Sequence, residues 1–141
     1  MIDYSISWMP LLAVAIGNFF LSWIYYSPAS PAFKPWQKAV GMDPNQRTMS
    51  EDQKKAMPRL MGGAVLGTVL LAYGMQVLVH SLHLTTAMDG MKLGFVAWFT
   101  FAVTHSLNTQ FEGRKPIVLF INDLWFLITY VGFGALLAVW K

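Results

Sequence analysis

Four long runs of apolar residues dominate this sequence, at positions 9–27, 60–79, 93–111 and 117–140. None of the runs contains Lys or Arg, and Asp123 is the only acidic residue inside them. A helix needs about 20 apolar residues to cross the hydrocarbon core of a bilayer, whereas a helix on the surface of a soluble domain needs a charged stripe facing water. The pattern therefore predicts an all-α membrane protein in which residues 1–141 form one domain, a bundle of four transmembrane helices.

The composition points the same way. Charged residues make up 12% of the chain, about half of the 25% that is typical of soluble proteins. The absence of cysteine excludes disulfides, thiolate metal sites and cysteine nucleophiles. The N-terminal stretch MIDYSISW carries no basic residue, so we expect the first run to be a retained helix and not a cleaved signal peptide.

The basic residues predict how the bundle is oriented. Most of them fall in two connections on one side of a four-pass chain: Lys34, Lys38, Arg47, Lys54, Lys55, Arg59, Arg114 and Lys115. Only Lys92 and Lys141 fall on the other side. Because Lys and Arg collect in cytoplasmic loops, we expect these two connections in the cytoplasm and both termini outside. The basic residues follow the membrane side and form no nucleic-acid motif, so no nucleic-acid partner is expected.

The long connection at 28–59 has helical signals of its own. Phe33, Trp36 and Val40 recur at helical spacing, which predicts a short helix lying in the membrane interface, beside basic residues that attract anionic lipids. The alternative is a solvated basic tether without structure.

Further along the same connection, Ser50 and Gln53 have the spacing of a capping box. A short helix should therefore begin at Glu51. We expect Pro58 to break or kink it, because proline cannot donate a helical hydrogen bond.

Small residues four or seven positions apart indicate where helices could pack closely. They occur at Gly63, Gly67 and Gly74, at Ala13 and Gly17, and at Gly134 and Ala138. Such residues let two helix backbones approach in lipid, so we expect a compact bundle, with a homo-oligomer as an open alternative.

Polar residues inside the runs form the candidate site. The first run carries Asn18, Ser22, Tyr25 and Tyr26 on one face, the third carries His105 and Asn108 with Glu112 just beyond, and the fourth carries Asn122 and Asp123. At a rise of about 1.5 Å per residue, all three sets lie in the cytoplasmic half of the bundle. We therefore predict one polar cluster in that half.

The charged members of this cluster need partners. An ionisable group at such depth should face the bundle interior or water, so the predicted partner of Asp123 is His105, Arg114 or Arg59. Glu112 and Arg114 are close enough in sequence to pair. The stretch SLNTQFEGRKP then contains the last turn of the third helix, a reversal at glycine and a fourth helix that starts at proline.

Several of these residues carry a family resemblance. The string WIYYSP with a later Trp36, and the string NTQFEGR followed by Asn122, resemble the bacterial family catalogued as domain of unknown function 1761. This resemblance implies a small four-helix protein of the bacterial inner membrane and adds Trp23 to the candidate residues. It implies no reaction and no cofactor. The chain departs from the expected pattern at WIYYSP, which is one residue longer than WYSP.

The sequence leaves several functions open for the predicted cluster. The polar groups could only lock the helices together, since hydrogen bonds between helices contribute about 0.6–2 kcal/mol each. They could instead line a pathway for a small solute, an ion or a proton, as intramembrane Asp and His often do. A third reading is a small-molecule or lipid site, in which Trp23, Tyr25, Tyr26 and Trp36 with the basic rim would hold an anionic head group.

An enzyme is the least favoured class. His105 and Glu112 could act as base and acid, yet the chain has no phosphate-binding loop and no HExxH motif. His80 and His83 have a spacing that suits a metal, but histidines solvated at the membrane interface are the more ordinary explanation. The sequence therefore predicts neither catalytic residues, nor a metal site, nor a cofactor, and membrane lipids are the expected partners.

Overall fold

The structure is a computed structural model that describes residues 1–43 and 50–140. Its regular structure in these two stretches is helical. The α-helices are α1 (Trp8–Tyr25), α2 (Phe33–Ala39), α3 (Glu51–Ser81), α4 (Ala87–Ala97), α5 (Thr104–Thr109) and α6 (Pro116–Val139). A π-helical segment at Trp98–Val103 joins α4 to α5, and a 3-10 turn at Gln110–Glu112 follows α5.

Three of these helices, α1, α3 and α6, are long and apolar enough to cross a membrane. The third apolar run was predicted to form one helix at 93–111. In the structure a π-helical segment divides this run between α4 and α5. In that segment the indole nitrogen of Trp98 donates a hydrogen bond to the backbone carbonyl of Asp123 in α6, at 2.8 Å. The wider π-helical turn therefore occurs where the chain is tied to α6.

Helix α3 is much longer than the predicted run at 60–79. The capping box at its start is confirmed, because the Ser50 hydroxyl accepts from the Gln53 backbone and the Gln53 side chain accepts from the Ser50 backbone. Pro58 does not break the helix, which contradicts the prediction of a separate short helix. Proline leaves the carbonyl of Lys54 without its helical donor, and Lys54 is exposed, so water can satisfy that oxygen.

The connection before α3 contains the predicted short helix. It is α2, which packs against α6. Arg47, one of the basic residues used to predict the orientation, lies outside the described residues, and so does Lys141.

Glycines bring α4 and α6 into contact. A Cβ atom added at Gly90 would lie 2.0 Å from the carbonyl oxygen of Gly134, and one added at Gly94 would lie 2.2 Å from that of Tyr130. Gly90 and Gly94 have the GxxxG spacing that permits such an approach, and it was not among the predicted packing motifs. Gly134 and Ala138 were among the predicted packing motifs, and a Cβ atom added at Gly90 would also lie close to the side chain of Ala138.

The predicted glycine stripe of α3 has no such role within one chain. A Cβ atom added at Gly63, Gly67 or Gly74 would meet nothing within 4 Å among the described atoms. These glycines leave open space beside α3, and that space matters for the site.

The apolar core lies at one end of the bundle. It joins the start of α1 to the ends of α3 and α6, through residues such as Leu11, Val79 and Leu137. The N-terminal segment is fastened at the same end, because the buried side chain of Gln76 makes two hydrogen bonds with the backbone of Ser7, at 3.0 and 3.2 Å. At the opposite end, which we call the basic end, α2 and the reversal before Pro116 both lie against α6.

Candidate functional site

A cavity of about 570 Å³ lies between α1, α3 and α6, towards the basic end. We call it the polar chamber. Its hydrogen-bonding side chains are Asn18, Ser22, Tyr26, Thr68, Asn122, Thr129 and Tyr130. Its apolar walls include Leu71, Trp125 and Phe126. The volume falls in the range of about 300–1,000 Å³ that small-molecule sites occupy.

Asn18 ties together the three helices that form the chamber. Its side-chain nitrogen donates to the hydroxyl of Thr68 in α3 at 3.1 Å, and its side-chain oxygen accepts from the hydroxyl of Thr129 in α6 at 2.9 Å. One amide therefore links α1 to both neighbours. Hydrogen bonds of this kind fix the relative positions of helices where no water competes for them.

Tyr26 and Asn122 form the second polar link, nearer the basic end. The Tyr26 hydroxyl donates to the side-chain oxygen of Asn122 at 2.8 Å. The ring of Tyr26 also packs against Trp36 of α2, with ring centroids 5.3 Å apart. Helix α2 thus supports one end of the chamber through an aromatic contact.

Tyr25 stands beside the chamber and braces its aromatic wall. Its hydroxyl donates to the backbone carbonyl of Ile121 at 2.9 Å, and its ring lies 5.1 Å from that of Trp125. Ser22 lines the chamber but donates to the carbonyl of Phe19 in its own helix, at 2.8 Å.

An apolar groove of about 170 Å³ adjoins the chamber. It runs between α3 and the α4–α5 region, and its walls are Leu70, Leu71, Gly74, Met75, Leu78, Ala97, Phe101 and Tyr130. Leu71 and Tyr130 line both spaces. The absent side chain of Gly74 leaves room in this groove.

Asp123 lies apart from the chamber. Its carboxylate accepts a 2.5 Å hydrogen bond from the buried hydroxyl of Ser106 in α5. The partner is thus a serine, whereas the sequence suggested His105, Arg114 or Arg59. Asn122 and Asp123 diverge because consecutive residues of an α-helix point about 100° apart, at 3.6 residues per turn.

Other predicted members of the cluster face away from the protein. His105 and Asn108 are exposed on α5, and neither side chain forms a hydrogen bond with the described residues. Trp23 is 73% exposed on α1. The structure therefore does not bring these residues to the chamber.

Glu112 and Arg114 form the predicted pair at the reversal before α6. The Arg114 guanidinium lies 3.0 Å from the Glu112 carboxylate, and both side chains are exposed. Gly113 adopts a positive φ of 74° between them, which is the conformation expected of glycine at the end of a helix. This pair lies outside the chamber lining and shapes the reversal.

The chemistry of the chamber follows from its lining, to which the described residues contribute amides, hydroxyls and aromatic rings but no Asp, Glu, Lys, Arg or His. Such a lining can donate and accept hydrogen bonds and offers no fixed charge to an ion. Within residues 1–43 and 50–140, no three His, Asp or Glu side chains are grouped so that they could hold a metal.

Several chamber residues were not identified as site residues from the sequence: Thr68, Trp125, Phe126 and Thr129. A signal for two of them exists, since Phe126 and Thr129 lie four and seven residues after the predicted Asn122, which places all three on one face of α6. Thr68 has no comparable signal, because only its contact with Asn18 distinguishes it from the rest of α3.

Comparisons with known proteins agree with the resemblance noted above. The family described as Protein of unknown function (DUF1761) matches residues 9–138. No curated protein and no solved structure matches the chain. Since the match covers nearly the whole sequence, the chain belongs to this family.

Proposed function

We propose that this member of the DUF1761 family is a four-span protein of the bacterial inner membrane that binds a small amphiphile in the polar chamber. Three spans are α1, α3 and α6. The fourth is the helical path through α4, the π-helical segment and α5, which would be about 34 Å long at 1.5 Å per residue. That length is enough for a hydrocarbon core of about 30 Å.

One observation carries the binding proposal: an open, uncharged polar chamber adjoins an apolar groove. A cluster that served only to lock helices would be filled by its own side chains, as close packing requires. Here about 570 Å³ remains open beside the links made by Asn18 and Tyr26. The combination of a polar space and an apolar space matches a molecule with a head and a tail.

The lining argues against the alternative of an ion or proton pathway. Such pathways are typically lined by Asp, Glu or His, and the chamber has none of them. Asp123 is held by Ser106, and His105 is exposed on another helix face. An anionic head group is also disfavoured, because none of the described residues that line the chamber is basic.

The proposed orientation places the basic end in the cytoplasm and both termini outside, as the distribution of Lys and Arg favours. The chain has no native cysteine, so single cysteines can be introduced without removing others. Cysteine at Lys38 should react with a membrane-impermeant thiol reagent only after the cells are opened. Cysteine at Met88 should react in intact cells, and the reverse pattern would overturn the orientation.

The binding proposal is tested by native mass spectrometry of protein released from membranes without delipidation. We expect a retained amphiphile on the unmodified protein and its loss from Asn122→Leu. Asn108→Leu is the matched control, since the same change on exposed α5 leaves the chamber intact. A thermal unfolding measurement identifies variants that fail to fold. An unmodified protein that carries no bound molecule would contradict the proposal.

We also propose self-association through the lipid-facing side of α5. Exposed His105 and Asn108 would otherwise place unpaired polar groups in the membrane, where each costs free energy. A second copy could pair with them. Cysteine at Asn108 should then form a disulfide-linked dimer when isolated native membranes are treated with an added thiol oxidant, and a chain that stays monomeric at all expression levels would refute this.

A further inference from the structure

The hydrogen-bond inventory of the polar chamber shows which groups remain available to a ligand. One of the two side-chain N–H groups of Asn18 donates to Thr68, and the Tyr26 hydroxyl donates to Asn122. Within the described stretches the hydroxyls of Thr68 and Tyr130 and both N–H groups of Asn122 donate to no acceptor. Since an amide nitrogen is a donor only, the free nitrogens call for acceptors on the ligand.

These free groups are reachable from the open space. Within the part of the chain that the structure describes, no fully buried side-chain nitrogen or oxygen lacks a hydrogen-bond partner. The side-chain nitrogen of Asn122 and the hydroxyl of Tyr130 have no partner among the described residues and are therefore not fully buried, and both residues line the cavity. They can bond to an incoming oxygen without any rearrangement of the helices.

The charge of the ligand head follows from the same walls. A phosphate or carboxylate head would lose its hydration on entering and would find no Lys or Arg in the lining. A quaternary ammonium head would find no carboxylate among the described lining residues and would have only aromatic faces, whose attraction of about 0.5–2 kcal/mol offsets little of the cost of burying the charge. Burying an unpaired charge costs far more than burying a carbonyl that gains a hydrogen bond. The chamber therefore selects an uncharged head whose oxygens accept hydrogen bonds.

The apolar groove supplies the place for a tail. Tyr130 and Leu71 line both spaces, so the groove and the chamber lie side by side at these two residues. The distance along α3 from Thr68 to Leu78 is about 15 Å at 1.5 Å per residue. The tail would run from the chamber towards the end of the bundle that holds the apolar core, with Tyr130 at the junction.

We infer that the ligand is an amphiphile with an uncharged head bearing ester, ketone or ether oxygens, which takes hydrogen bonds from Asn122 and Tyr130, and with an alkyl tail in the groove between Gly74 and Phe101. This inference rests on the proposed function, because it specifies the ligand of the same chamber. It differs from the sequence-based hypothesis of an anionic head group held by the basic rim.

The test uses three photoreactive probes with the same dodecyl chain and a diazirine near the end of that chain. Their heads are a methyl ester, a phosphate and a trimethylammonium group. Each probe is titrated into the full chain in nanodiscs of zwitterionic lipid, and the adducts are mapped by peptide mass spectrometry. We expect saturable adducts of the methyl ester at groove residues such as Leu78 and Phe101, at concentrations at least about tenfold below those needed for either charged probe.

Tyr130→Phe removes one hydroxyl and keeps the ring. The half-saturating concentration of the methyl ester should rise about three- to tenfold, as expected for one lost hydrogen bond. Tyr73→Phe is the matched control, because Tyr73 packs against the core and does not line the chamber. It should leave the titration unchanged.

Each outcome has a separate meaning. Saturable adducts of a charged probe at equal or lower concentration would overturn the uncharged head and leave the chamber as an amphiphile site. Methyl ester adducts outside the groove would overturn the placement of the tail. A Tyr130→Phe protein with unchanged binding would overturn the assigned hydrogen bond. If no probe gave saturable adducts at the chamber or the groove, the proposed function would fail, and this inference with it.

Discussion

Replacing Gly90 by alanine tests how α4 and α6 are held together. The added Cβ would lie 2.0 Å from the carbonyl oxygen of Gly134, where ordinary contact begins at 3.4 Å. The two helices would have to separate by about 1.4 Å at this point. A gap of only 0.5–1 Å already forfeits a quarter to a half of the dispersion attraction across a contact.

The clash involves backbone atoms of Gly134, so no side chain can turn away to relieve it. Overpacking in well-packed interiors costs about 1–3 kcal/mol, and we expect Gly90→Ala to lie in the upper part of that range, at about 2–3 kcal/mol. The free energy of unfolding can be measured by titrating SDS into mixed micelles and following the tryptophan fluorescence.

Gly132→Ala is the matched control. It makes the same change in α6 two residues from Gly134, and the added Cβ would meet nothing within 4 Å. Its effect should lie between zero and a stabilisation of about 1 kcal/mol, the helix-propensity difference between the two residues. Equal unfolding free energies for Gly90→Ala and Gly132→Ala would refute the close crossing.

Three further predictions concern individual contacts. Asn18→Leu should lower the free energy of unfolding by about 0.6–2 kcal/mol, the range for hydrogen bonds between membrane helices, whereas an unchanged value would show that the link to Thr68 and Thr129 has no weight. Gln76→Leu removes both bonds to Ser7 and should make the N-terminal segment sensitive to protease in micelles; continued resistance would contradict the role of Gln76. Thr86→Val removes the hydroxyl that caps α4, which accepts a hydrogen bond from the backbone of Asp89 and donates one to its carboxylate. The amide hydrogens at the start of α4 should then exchange faster than in the unmodified protein, and unchanged exchange would contradict the role of this cap.

Much of the fold follows from features that can be read from short stretches of the sequence, namely the length and hydropathy of the apolar runs and the motifs at helix ends. The apolar runs locate α1 and α6 to within a few residues, because length and hydropathy alone decide which segments can span a bilayer. The capping box at Ser50, the reversal at Gly113 and the start of α6 at Pro116 depend on local backbone chemistry, which a short stretch of sequence specifies.

The candidate site was harder to predict, because it depends on which face of each helix turns inward. Asn122 and Asp123 are adjacent, yet one lines the chamber and the other bonds to Ser106. On α5 the inward residue is Ser106 and its neighbour His105 faces out. Polarity alone favours the histidine, and only the packing of α5 against α6 selects the serine.

The glycines show the same limit. The sequence contains small-residue spacings on several helices, and all of them would permit a close approach. Among the glycines of the described stretches, only Gly90, Gly94 and Gly134 make one. Whether a small-residue spacing makes a close crossing depends on the surface of the helix that packs against it, and the sequence of a single helix does not specify that surface.

A structure determined in a lipid bilayer would test the central claim most directly, namely that α1, α3 and α6 enclose an uncharged chamber which holds an amphiphile. We predict elongated density with its wider end beside Asn122 and Tyr130 and its narrow end along Gly74. Helices packed together so that side chains fill this space would contradict the account.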